Sequence, residues 1–182
     1  MTNIHKISYF QNKTWNEGIS RTETLFCAEL FFLLKEKDNL SKFIKTFKLK
    51  HGDYDVGYEV SFYRDLLKGY ADKIKGKYSR HRTFDLALFS ENDIYIIEAK
   101  AQDSFKNKQL DDFKKDKKEV SKILEEINPK TKVEVHLLAL ISSNHNPRPE
   151  TRGKFEKIIY WKEIYELYGN KIFNRADGIH NQ

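Results

Sequence analysis

The sequence predicts an α/β domain, a central sheet flanked by helices, and three stretches carry that prediction. Residues 84–100, "FDLALFSENDIYIIEAK", are two apolar strand-like runs joined by a short polar turn. Residues 104–127 follow with Phe105, Leu110, Phe113, Val120, Ile123, Leu124 and Ile127 on the core face of a helix, which Pro129 stops. Residues 132–141, "KVEVHLLALI", read as a buried strand.

The remaining elements are justified in chain order. Residues 20–37, "SRTETLFCAELFFLLKEK", have helix-forming composition, and Ser20 with Glu23 makes a capping-box start; so apolar a helix must be largely buried. A short helix is expected over "NLSKFIKTFKL". The stretch "DVGYEVSFYRDLL" is ambiguous between periods. As a strand it puts Tyr58, Val60 and Phe62 on one face; as a helix it groups Glu59, Phe62, Tyr63, Leu66, Leu67 and Tyr70. A strand running into a helical turn is the preferred reading. Residues 71–82 are basic and turn-rich, and the hairpin begins after them. Beyond the buried strand, "NHNPRPETRG" reads as a loop, "FEKIIYW" as a further strand and "KEIYELYGN" as a last helix.

The chain of 182 residues, 39% apolar, fits a single domain spanning 1–182, with a core of about 20–168 and a C-terminal tail from about 170 to 182. Its net charge of +6 and pI near 9.1 favour a polyanionic partner such as nucleic acid. The single cysteine, Cys27, lies in an apolar run, so no intramolecular disulfide forms and a reducing compartment is expected. No stretch has signal-peptide or membrane-spanning character. A cytoplasmic protein without a membrane partner is therefore expected.

The hairpin also carries the chemistry. Closing its turn as a two-residue loop, Glu91 and Asn92, or as a four-residue loop gives the same register: Phe89 faces Ile94, Ala87 faces Ile96, and Asp85 faces Glu98. Lys100 shares their face. Two facing carboxylates destabilise a sheet unless something positive sits between them, and a divalent cation is such a partner. Lys100 would then hold or deprotonate an attacking water and touch a phosphate, and these are the parts of a phosphodiesterase. The bland alternative is a solvated salt-bridge cluster, in which Lys100 simply neutralises the two acids; an aspartate in an apolar strand, a short hairpin, Glu-Ala-Lys and a following helix together favour the functional reading.

Carried by "FDLALF", "IYIIEAK" and the element order over about residues 20–142, the chain resembles the PD-(D/E)XK nuclease superfamily, with Phe84 where the superfamily's name has proline. The resemblance implies a restriction endonuclease-like αβββαβ core with a mixed central sheet. It further implies Asp85 and Glu98 as ligands of Mg²⁺, replaceable by Mn²⁺, with Ala99 offering its carbonyl and Lys100 as the catalytic lysine. Many members add a glutamate from the first helix; Glu23 ranks ahead of Glu29 and Glu59 for that place. Some carry a glutamine on the helix after the lysine, where Gln109 stands.

Lys73, Lys75, Lys77, Arg80 and Arg82, at the mouth of the strand pair, are the expected DNA contacts. The lysines at 106–118 alternate with Asp103, Asp111, Asp112, Asp116 and Glu119 and read as a solvated helix face. His145, Arg148 and Arg152 fall in a loop after a core strand, a plausible place to face a ligand. The expected function is Mg²⁺-dependent hydrolysis of DNA, with RNA, a homodimer or a larger complex left open, in restriction, repair or defence against mobile elements. The competing reading is a catalytically inactive DNA-binding or protein-interaction module on the same fold.

Overall fold

The computed structural model describes residues 22–66, 83–101, 104–105, 107–127, 129 and 132–179. Helices α1 (Thr22–Leu34) and α2 (Lys37–Thr46) precede strand β1 (Asp55–Val60) and a π-helical turn over Phe62–Leu66. Strands β2 (Phe84–Phe89) and β3 (Asp93–Lys100) lead into α3 (Asn107–Ile127) and β4 (Glu134–Ile141). Helix α4 (Pro149–Arg152), strand β5 (Lys157–Tyr160) and helices α5 (Trp161–Tyr168) and α6 (Lys171–Gly178) complete the order.

The strands form one mixed sheet in the order β1-β2-β3-β4-β5. The pairs β1–β2 and β2–β3 are antiparallel; β3–β4 and β4–β5 are parallel. A parallel pair needs a long crossover, and α3 supplies it between β3 and β4. The hairpin closes through Ser90, whose amide donates to the Asp93 carbonyl at 2.9 Å while its hydroxyl accepts from the Asp93 amide at 3.0 Å. Over the paired residues its register is the expected one, with Ala87 opposite Ile96 and Phe89 opposite Ile94, but the ladder ends at Leu86 and Ile97, short of the expected Asp85–Glu98 pair.

Helices cover both faces of the sheet. On one, Phe26, Leu30 and Leu34 of α1, Phe43 of α2, Trp161 and Ile164 of α5 and Phe173 of α6 pack with Leu86, Leu88, Ile97 and Leu140. On the other, Val120 and Ile123 of α3 pack with Phe62, Phe84, Ile94, Ile96, Leu137 and Ile141. Each fully buried large side chain contributes about 1.5–3 kcal/mol. Helix α1 buries Phe26, Cys27, Leu30 and Leu34, while Phe32 points outward at 67% exposure.

Three expectations need correction. The alternation that puts Tyr58, Val60 and Phe62 on one face breaks: Tyr58 packs on the α1 side and Phe62 on the α3 side. The cause is Glu59, which takes φ +46°, a left-handed conformation inside a strand. Across the ladder Tyr58 pairs with Leu86 and Val60 with Phe84, and Phe84 likewise packs on the face opposite to Leu86 and Leu88. Second, residues 171–178 of the expected tail are a helix with Phe173, Ala176 and Asp177 buried. Third, Asp116 is buried rather than part of a solvated face.

Candidate functional site

Asp85, the second residue of β2, lies at the point where the alternation breaks, next to the C-terminal end of β3, which carries Glu98 and Lys100. The ladder pairs Leu86 with Ile97, and beyond it the Asp85 carboxylate accepts the Ala99 amide at 2.8 Å. Glu98 is buried at 4% exposure. From α1, Glu23 reaches the same place: Oε2 accepts from Lys100 Nζ at 3.0 Å and Oε1 from the Ala101 amide at 3.2 Å. Glu23, Asp85, Glu98 and Lys100, separated by up to 77 positions in sequence, therefore meet at one end of the β2–β3 pair.

The electrostatics follow from burial and crowding. Burial pushes the Asp85 carboxyl above its ordinary value and the Glu23 charge adds to this; the Ala99 amide, the Lys100 charge and a hydrogen bond with Glu98 act in the opposite sense. Burial works against the charged form of Lys100, yet the charge and hydrogen bond of Glu23, with Asp85 and Glu98 behind them, hold the ammonium above its usual range. Cys27, one helical turn beyond Glu23, feels the whole group: burial raises its thiol, Asp85, Glu23 and Glu98 raise it further, and Lys100 lowers it. Three carboxyls against one ammonium leave two negative charges in excess when all are ionised.

The donor chemistry, carboxylate oxygens with an excess charge of two, is that which a hard divalent cation takes, although these three carboxylates do not converge as Asp93, Glu134 and His136 do. Asp85 and Glu98 would hold it. The contribution of Ala99 seen here is its amide, donated to Asp85. Of the three competing glutamates, Glu23 engages Lys100, whereas Glu59 is exposed on the kinked strand and Glu29 is half-buried on α1. Gln109 is half-buried near the start of α3. Lys73, Lys75, Lys77, Arg80 and Arg82 lie outside the described residues.

The loop after β4 is firmly anchored. Asp177 of α6 accepts the Ser143 amide at 2.6 Å and the Lys162 amide at 3.1 Å, and Arg152 donates to the Pro147 carbonyl and to Asn146 Oδ1. His145 Nδ1 lies 3.3 Å from Ser104 Oγ, joining this loop to the segment after β3.

A second polar group, which the sequence reading missed, occupies the other end of β3 and β4: Asp93, Glu134 and His136. Its signal was the pair of acidic residues at the starts of two adjacent parallel strands, legible only once their register is known. Comparison with known proteins finds no matching family model, no matching curated protein and no matching solved structure. Among the described residues no helix is long and apolar enough to cross a membrane.

Proposed function

We propose that the chain is a Mg²⁺-dependent nuclease that hydrolyses DNA phosphodiester bonds, built on a restriction endonuclease-like αβββαβ core. The observation that carries the proposal is the meeting of Asp85, Glu98, Lys100 and Glu23 at one end of β2 and β3, with an excess negative charge that a divalent cation balances. The order α1, α2, β1, β2, β3, α3, β4 supports the same core with one helix, α2, inserted before the first strand.

Asp85 and Glu98 would hold the cation by their carboxylates. When bound, Mg²⁺ supplies Lewis-acid neutralisation of the phosphate and lowers the pKa of a coordinated water. The Ala99 amide fixes the orientation of Asp85, so the ligand needs little reorganisation. Lys100, kept charged by its acidic neighbours, donates hydrogen bonds to a phosphate oxygen and orients the attacking water as a cation rather than serving as its base. Glu23 positions that ammonium and ties α1 to the end of β3.

The test is incubation of the purified protein with plasmid, single-stranded and branched DNA in Mg²⁺, Mn²⁺ or EDTA, alongside Asp85→Ala and Glu98→Ala. The expected result is metal-dependent nicking, lost in both variants, with DNA binding kept within several-fold. Cleavage at the wild-type rate in either variant overturns the assignment. Binding without cleavage on DNA and RNA alike would favour the inactive module.

A further inference from the structure

The N-terminal ends of β3 and β4 hold a group of side chains that the proposed hydrolysis does not use. Asp93 opens β3 and pairs with Glu134, which opens β4; His136 stands two residues further along β4, beside Tyr95. One ligand atom from each of Asp93, Glu134 and His136 lies within 4.8 Å of the others. Asp93 and Lys100 are seven steps apart on one strand, roughly 23 Å at strand rise, so this group is separate from the acidic site.

His136 points to what belongs there. Its Nδ1 lies 2.7 Å from Glu156 Oε2 and its Nε2 2.8 Å from Asp93 Oδ1. A neutral imidazole carries one N–H and can donate to only one of these carboxylates. The other contact is a lone pair facing an anionic oxygen, and a cation, proton or metal ion, has to complete it. The ring cannot swing out, being 8% exposed and stacked on Tyr95 with centroids 4.5 Å apart. Glu156, itself paired with Lys117, is placed to accept from Nδ1 and so leave Nε2 free to ligate, the usual arrangement behind a metal-bound histidine.

Lys50 shows that a cation is wanted between the two acids: its ammonium lies 2.8 Å from Asp93 Oδ1 and 2.6 Å from Glu134 Oε2. Its side chain is 49% exposed, and a half-exposed lysine holds its partners weakly and can leave along its own flexible stem.

We propose that Asp93, Glu134 and His136 form a binding site for a nitrogen-preferring divalent transition metal of the Zn²⁺ or Co²⁺ class, with Glu156 orienting His136 and Lys50 as the counter-ion that the metal displaces. The imidazole selects such ions over Mg²⁺. The metal ties the starts of β3 and β4 together, a structural rather than a hydrolytic role.

The experiment uses the full chain carrying Asp85→Asn and Glu98→Gln, which removes the other candidate site, and titrates it with Zn²⁺ and Co²⁺ by calorimetry and visible absorption. One bound ion is expected, with Co²⁺ d–d bands showing nitrogen ligation and no comparable binding of Mg²⁺. Adding His136→Gln should weaken binding at least 100-fold. Adding Lys50→Ala, at a half-exposed position, should tighten it several-fold by removing the competitor. Absence of bound Zn²⁺, equal binding with His136→Gln, or unchanged or weaker binding with Lys50→Ala overturns the proposal in favour of a proton-bridged ion network. None of these readouts depends on nuclease activity.

Discussion

Asp85 is lifted above its ordinary value chiefly by burial, so in metal-free protein its ionisation opposes folding. The sign follows directly: a carboxyl with a raised folded-state value imposes no cost below about pH 4, and its cost grows as pH rises through that value. Asp85→Asn, which can still accept the Ala99 amide, should therefore melt above wild type at pH 7 in EDTA, and the difference should vanish near pH 4. Thermal melts at the two pH values check this; a lower melting temperature for the variant at pH 7 contradicts it. Excess Mg²⁺ should stabilise wild type, because a ligand of the folded state alone shifts the equilibrium, and the variant should gain much less. Asp85, Glu98 and Lys100 were legible because acids stood at the end of an apolar hairpin. The contact between Glu23 and Lys100 was not: Glu23 ranked ahead of Glu29, but its partner appears only when α1 is docked on the sheet.

At the scale of elements, the kink in β1 is the feature that periodicity could not supply. "DVGYEVSFYRDLL" fits neither period because Glu59 turns left-handed and moves the chain's apolar side chains from one face to the other. The kink brings Val60 over Gly57: a Cβ on Gly57 would sit 2.5 Å from Val60 Cγ2 and 3.0 Å from Phe89. Gly57→Ala is expected to cost about 1–3 kcal/mol by overpacking. Val60→Ala in the same chain should recover part of that loss, a coupling that urea denaturation of the two single variants and the double variant measures. Strict additivity would show that the two residues do not share this space. Glu59→Gly should leave stability unchanged or raise it by up to about 1 kcal/mol, since left-handed backbone is costly for a residue with a side chain.

For the whole molecule, the sheet, its helix α3 and the hairpin register were readable in advance, because each rests on a run long enough to show its period. Helix α6 was not: "KIFNRADG" offers few apolar residues, and its start is marked only by Asn170, whose side chain accepts the Ile172 amide. Its importance lies in what it reaches. Phe173 is fully buried with its ring stacked on Trp161 at 6.0 Å, and Asp177 holds the loop after β4. Phe173→Ala should cost about 3–5 kcal/mol, read from the urea midpoint; a change under about 1 kcal/mol would mean that α6 does not belong to the cooperative unit.

The 77 positions between Glu23 and Lys100 have a consequence for how the chain is made. At about 5–20 residues per second, α1 leaves the ribosome roughly 4–15 s before the end of β3, which Glu23 will reach, exists. Through that interval Phe26, Leu30 and Leu34 lack the β3 and β4 part of the face they pack against. The helix whose glutamate later pairs with Lys100 thus spends its first seconds with apolar side chains uncovered, the kind of segment a chaperone holds.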